Sequence, residues 1–232
     1  MNQNPTLATI SIHTILIGDI AVHYRIIGDI LAPRPTLFLH GWQMSGARSF
    51  EAFFSLFDHD SQVCIIALDM PGFGLNQDIE VLPFTDLILF CIAFVVALGI
   101  MNPLDGIGYS FGGLVLYYIL QQIPHLFRRI VFLTVPLLPF ERTFSHTFST
   151  KNHQSLYQEA GQQLELHTTP LSVWHPVLMI WGTRDVVVPL HIGRYINAAL
   201  PNSRMVILDG ADHKLYHDPQ ALYLPIKQFL LS

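Results

Sequence analysis

LDGIGYSFGGLVLYYILQQI, residues 104–123, decides how the rest of the chain is read. Residues 104–109 form an apolar run of strand length, and residues 111–123 form a longer apolar run of helical length. Between them lies Gly108-Tyr109-Ser110-Phe111-Gly112, a G-x-S-x-G sequence compressed into a strand-to-helix turn. A serine at such a turn is held in a strained backbone conformation, and side chains in place of the flanking glycines would strike the adjoining strand or helix. Ser110 is thereby pushed out at the carboxyl edge of the sheet, where open α/β sheets bind ligands.

Working outward, the same strand-then-helix rhythm recurs. Residues 9–17 and 20–27, rich in Ile, Thr, Val and Tyr and separated by Gly18-Asp19, read as an antiparallel hairpin. A third strand over 36–40 follows Pro33 and Pro35, with a helix over 45–57, a strand over 63–68 and a helix over 85–98. Beyond the central stretch come a strand over 130–135, a strand over 177–181, a helix over 191–200, a strand over 204–208 and a closing helix over 219–230. This alternation implies the α/β class: a mostly parallel sheet with helices on both faces. The rhythm stops at Pro136, and residues 137–173, richer in Ser, Thr, His and Gln, read as an insertion into a single domain spanning 1–232.

Composition narrows the function classes. The chain has 232 residues, 51% hydrophobic and only 12% charged, which excludes intrinsic disorder. Its net charge of -5 argues against a nucleic-acid partner, which needs a basic stripe. Arg142, Lys151 and Arg128-Arg129 are scattered and read as solvated surface charges. Cys64 and Cys91 sit in apolar runs and read as small buried hydrophobes, so neither a disulfide scaffold nor a Cys-based zinc site is expected. The amino-terminal stretch lacks the basic and apolar regions of a secretory signal, which makes the cytoplasm the expected location. Residues 87–100 carry no charge, but at about 1.5 Å per residue they fall short of the roughly 30 Å hydrocarbon core, so no transmembrane span is expected. The apolar outer face of that helix calls for cover by a neighbouring helix, by a second copy in a homodimer, or by a peripheral membrane contact.

A serine hydroxyl is a poor nucleophile near neutral pH unless a base takes its proton, and the base itself needs an orienting group. Asp185 lies in Trp181-Gly182-Thr183-Arg184-Asp185 after one strand, and His213 in Gly210-Ala211-Asp212-His213 after the next. Both therefore come from loops at the same sheet edge as Ser110, in the chain order Ser, Asp, His. His217, four residues on, is expected to point elsewhere, and Asp209 and Asp212 are the competing acids.

With these residues in hand, the chain resembles the α/β-hydrolase superfamily over nearly its whole length. His40-Gly41-Trp42 resembles the family's turn after its third strand, and Asp69-Met70-Pro71-Gly72-Phe73-Gly74 its D-x-P-G-x-G segment. Residues 108–113 resemble its nucleophile elbow, and residues 182–189 and 210–213 its acid and histidine loops. The resemblance implies an eight-stranded sheet with a short lid insertion, hydrolysis through an acyl-enzyme on Ser110, and an oxyanion hole from the backbone N–H groups of Phe111 and Trp42. It implies no metal and no cofactor. Serine rather than aspartate at the elbow sets the chain apart from haloalkane dehalogenases and epoxide hydrolases. It is similar to small carboxylesterases, including pimeloyl-carrier-protein methyl ester esterases, and to carbon–carbon hydrolases of ring-fission products.

The expected activity is hydrolysis of a small-molecule carboxylic ester with a small to medium apolar acyl chain, lined by Trp42, Phe111, Leu137 and Leu138. Thioester or carbon–carbon hydrolysis with the same three residues, or a ligand-binding receptor on this scaffold, are the alternatives. Asn76 and Tyr109 depart from the family's usual residues, and are expected near the acyl pocket without touching the three. The short insertion implies an open site.

Overall fold

The structure, a computed structural model, describes residues 10–29, 31–58, 60–137, 149–165 and 173–232. Its strands are β1 (Ser11–Ile17), β2 (Ile20–Ile27), β3 (Arg34–Leu39), β4 (Val63–Leu68), β5 (Leu104–Tyr109), β6 (Phe127–Leu133), β7 (Val177–Gly182) and β8 (Ser203–Leu208). They form an 8-stranded sheet in the order β1-β2-β4-β3-β5-β6-β7-β8. β2 runs antiparallel to both β1 and β4, and every pairing from β4 to β8 is parallel.

Helices α2 (Phe84–Ala97), α3 (Phe111–Gln122), α4 (Lys151–Glu165) and α5 (Leu190–Ala199) bury side chains on one face, while α1 (Glu51–Phe54) and α6 (Pro219–Leu231) cover the other. Alternation along each strand sorts the core accordingly. In β4, Cys64, Ile66 and Leu68 pack toward α2 and α3, whereas Val63, Ile65 and Ala67 pack toward α1 and α6. Both faces being covered, the central strands read as continuous apolar runs rather than alternating ones.

Three elements differ from the sequence reading. β6 begins and ends earlier than 130–135: Phe127 pairs with Leu104 at its start, and Thr134, with φ 46°, turns the chain out after Leu133. The arginines at its start hide it, because charge normally marks solvated chain. Arg128 instead forks onto the carboxylate of Asp105, which is fully buried in β5. The helix expected over 45–57 is a 3-10 turn at Gly46–Phe50, the four-residue α1, and a second 3-10 turn at Ser55–Phe57. The insertion contains α4. Lys151 is exposed as expected, whereas Arg142 lies outside the described residues.

α2 is packed by α3, α4 and β1, leaving Leu89 and Val96 exposed. Among the described residues no helix is long and apolar enough to cross a membrane. Cys64 and Cys91 are free, buried thiols whose pKa burial pushes up to about 12.

Candidate active site

The turn between β5 and α3 has the strain its sequence implies. Ser110 sits at φ 49° and ψ -117°, and Thr134 beside it at the end of β6 is the other non-glycine residue with positive φ among the described residues. The Ser110 N–H donates to Leu133 O at 2.8 Å, and its carbonyl accepts from the Gly113 N–H at 3.0 Å. A Cβ on Gly108 would lie 2.4 Å from the Gly113 Cα, and one on Gly112 would lie 2.3 Å from the carbonyl oxygens of both Leu39 and His40. A Cβ on Gly113 would meet Val135 Cγ2 at 2.2 Å. The helix thus starts against the backbone of two strands, and only glycine permits that approach.

Loops after β7 and β8 bring the other two side chains to this serine. His213 Nε2 is 3.0 Å from Ser110 Oγ, and His213 Nδ1 is 2.9 Å from Asp185 Oδ2. Asp185 is buried, and its Oδ1 accepts from the Val187 and Val188 N–H groups at 2.9 and 2.8 Å. An acceptor on Nδ1 places the second imidazole nitrogen toward the hydroxyl, ready to take its proton. The competitors are elsewhere: Asp209 accepts from Thr183 Oγ1, Asp212 from the Lys214 N–H, and His217 is exposed.

Tyr109 corrects the sequence reading, because it does touch this arrangement. Its phenol donates to the His213 carbonyl at 3.0 Å, and its ring packs on the imidazole with centroids 5.4 Å apart. Burial raises its pKa well above the ordinary tyrosine value, so it remains a donor. Asn76 is instead a buried brace whose amide donates to the carbonyls of His23 and Asp69 and accepts from the His23 N–H. Neither residue was legible by spacing. Only adjacency to Ser110 marked Tyr109.

Two further loops complete the edge. His40 is fully buried, donates through Nδ1 to Gly41 O at 2.7 Å, and accepts through Nε2 from the Met70 N–H at 3.0 Å. Burial lowers its pKa, which keeps the ring neutral. A Cβ on Gly41 would lie 3.2 Å from Ser110 Cβ, so the His40-Gly41-Trp42 turn passes directly behind the serine. Asp69 knits the next loop. Its carboxylate takes Arg25 Nη1 at 2.5 Å and the N–H groups of Ala47 and Leu75 at 2.6 and 2.9 Å.

A sequence model described as the alpha/beta hydrolase family matches residues 36–223. The chain belongs to that family. Its fold is similar to that of a candidate lipase of Acinetobacter baumannii AYE, at 18% identity and a TM-score of 0.75 over 97% of this chain and 92% of that one. A serine hydrolase of Cycloclasticus zankles is similar at 17% identity and TM-score 0.73, over 95% and 97% of the two chains. A meta-cleavage product hydrolase of Pseudomonas fluorescens IP01 is similar at 17% identity and TM-score 0.73, over 96% and 98%. At these identities the likeness is one of fold. Uncharacterized proteins of Mycobacterium tuberculosis and Mycobacterium bovis are 41% identical over 51 residues, a match spanning 22% of this chain and only 15% of their length.

On this alpha/beta hydrolase scaffold, α4 lies across the edge where the short insertion implied an open site. Its Tyr157 meets the Trp42 ring at 5.4 Å, and Trp42 also meets Phe73 at 5.4 Å and Phe111 at 4.9 Å. The Phe84 N–H, at the start of α2, donates to Glu159 of α4 at 2.8 Å. Phe111 and Leu137 are buried in the core, Trp42 is half-buried, and Leu138 lies outside the described residues.

Proposed function

We propose that this alpha/beta hydrolase is a serine esterase that cleaves carboxylic esters with a small to medium apolar acyl chain. The observation that carries the reading is the unbroken hydrogen-bonded series from Ser110 Oγ through the His213 imidazole to Asp185. In this mechanism Ser110 Oγ attacks the ester carbonyl carbon while His213 Nε2 takes its proton. Asp185 holds the imidazole in the required tautomer and stabilises the imidazolium. The oxyanion accepts from the backbone N–H groups of Phe111 and Trp42. Phe111 opens α3, where the first-turn N–H groups have no carbonyl within the helix and the helix dipole favours negative charge. Each such donor is typically worth roughly 2.7–4 kcal/mol in the transition state. Collapse of the intermediate expels the alkoxide, which leaves with the proton from His213. Water then attacks the acyl-serine, His213 taking its proton and returning it to Ser110 Oγ as the acid departs.

In this reading the half-buried Trp42, with Phe111 against it, forms the acyl side, and α4 of the insertion acts as a reduced lid. The same groups serve a thioester, or a carbon–carbon bond beside a ketone, with a different leaving group. Covalent labelling by a fluorophosphonate tests the chemistry. Wild type is expected to label at Ser110, S110A not at all, and D185N to hydrolyse p-nitrophenyl esters about 10⁴-fold more slowly. A folded wild type that neither labels nor turns over any ester from acetate to laurate refutes the assignment and favours a ligand-binding receptor.

A further inference from the structure

His153, on the first turn of α4, is a buried imidazole outside the Ser110–His213–Asp185 series. Its Nε2 lies 3.1 Å from Gly72 O, a carbonyl that can only accept, so Nε2 carries the hydrogen. Nδ1 then accepts from Thr150 Oγ1 at 2.8 Å, and the same hydroxyl accepts from the His153 N–H at 3.2 Å, capping α4. Both ring nitrogens are therefore committed, and the imidazole has one orientation.

That orientation sets the ring edge-on against Phe73, at 5.0 Å between centroids, and against Trp42, at 6.2 Å. One turn along α4, Tyr157 meets the same indole. Trp42 is thus walled by Phe73, Phe111, His153 and Tyr157. Gly72 permits the approach: it has φ +85°, and a Cβ there would stand 3.2 Å from His153 Nε2. A leucine would fill the same space without direction. A hydrogen bond from α4 to the loop after β4 fixes where the helix sits relative to the Trp42 turn.

We propose that His153 is a positioning residue: by pinning α4 to Gly72 it holds the Trp42 indole, and with it the Trp42 backbone N–H that faces the oxyanion. The inference rests on the oxyanion role given to Trp42 above. Donors act only within about 2.7–3.1 Å of the developing charge, so a small slip of the turn suffices to weaken the transition state. Substrate binding makes no use of that charge and loses only the share of the acyl wall that the displaced indole supplied.

The test compares H153Q, H153N and H153F in the full chain. A glutamine amide nitrogen falls where Nε2 lies, whereas asparagine reaches only the Nδ1 position and phenylalanine keeps the ring without the donor. H153Q is expected to retain kcat on p-nitrophenyl butyrate within about threefold. H153N and H153F lower kcat about tenfold, short of the roughly 10² lost with a whole donor, while KM stays within about twofold. Affinity for a trifluoromethyl ketone, whose adduct carries the same oxyanion, weakens by the same factor as kcat. Melting temperatures of H153Q and H153N show whether they share any structural loss. An active wild type whose three variants all keep kcat within threefold, or lose kcat without weakening the ketone, overturns the positioning role alone. A wild type inert to ester and ketone overturns the esterase reading and this inference with it.

Discussion

Replacing Tyr109 by phenylalanine removes one oxygen and asks how firmly His213 is held. The phenol donates to the His213 carbonyl at 3.0 Å, and that carbonyl keeps a second donor, the Leu215 N–H at 2.9 Å. No buried acceptor is orphaned, so the cost is the net value of one hydrogen bond, about 0.5–1.5 kcal/mol. In a domain of this size that corresponds to a fall in Tm of roughly 1–6 °C. The imidazole keeps its bond to Asp185, so the loop slips rather than opens. Ester turnover is expected to fall about three- to tenfold, below the roughly 10² lost to a 1 Å misplacement. The alkaline limb gives an independent check. Burial raises the Tyr109 pKa above its unfolded value, so its contribution is complete below about pH 10 and is lost as pH rises beyond that. The Tm deficit of Y109F therefore shrinks above pH 10. Differential scanning fluorimetry from pH 7 to 11, with p-nitrophenyl butyrate turnover at pH 7.5, reads both effects. Unchanged Tm and turnover would refute the bracing of His213 by Tyr109, and a loss beyond 10² would mean that the phenol takes part in the chemistry.

Gly112→Ala sets a Cβ 2.3 Å from the carbonyl oxygens of Leu39 and His40. Backbone cannot yield as a side chain can, so the cost reaches the upper end of overpacking, about 3 kcal/mol, and Tm falls by roughly 6–12 °C with loss of turnover. A Tm within 2 °C of wild type would contradict the close approach of α3 to β3. His40 governs the acid side. Burial lowers its pKa, so the stability it contributes is present above its unfolded value near 6.5 and is lost as pH falls below that. Urea midpoints between pH 7.5 and 4.5 are expected to decline below about 6.5 in wild type and less steeply in H40Q; parallel slopes would show that protonation of His40 is not what destabilises the fold.

What the amino-acid order determined is what local chemistry can express. Glycines two before and two after Ser110 declare a turn that admits no Cβ, and apolar runs of strand and helix length around it declare a parallel sheet covered on both faces. Strand ends followed by Asp185 and His213 then place both at the serine's edge, because parallel strands share their carboxyl ends. Where charge interrupts the apolar pattern, as at Arg128, the reading failed, since pairing with buried Asp105 is a contact between strands and leaves no periodicity.

The tertiary structure decided the remainder. The hydroxyl of Tyr109 could equally have faced solvent; it meets His213 because residues 104 positions apart fold together. The docking of α4 on Gly72 joins positions 81 apart across an insertion with no strand rhythm of its own. Hydrogen bonds and ring contacts of that kind depend on relative placement of whole elements, a sum over the entire core that no short window of sequence contains.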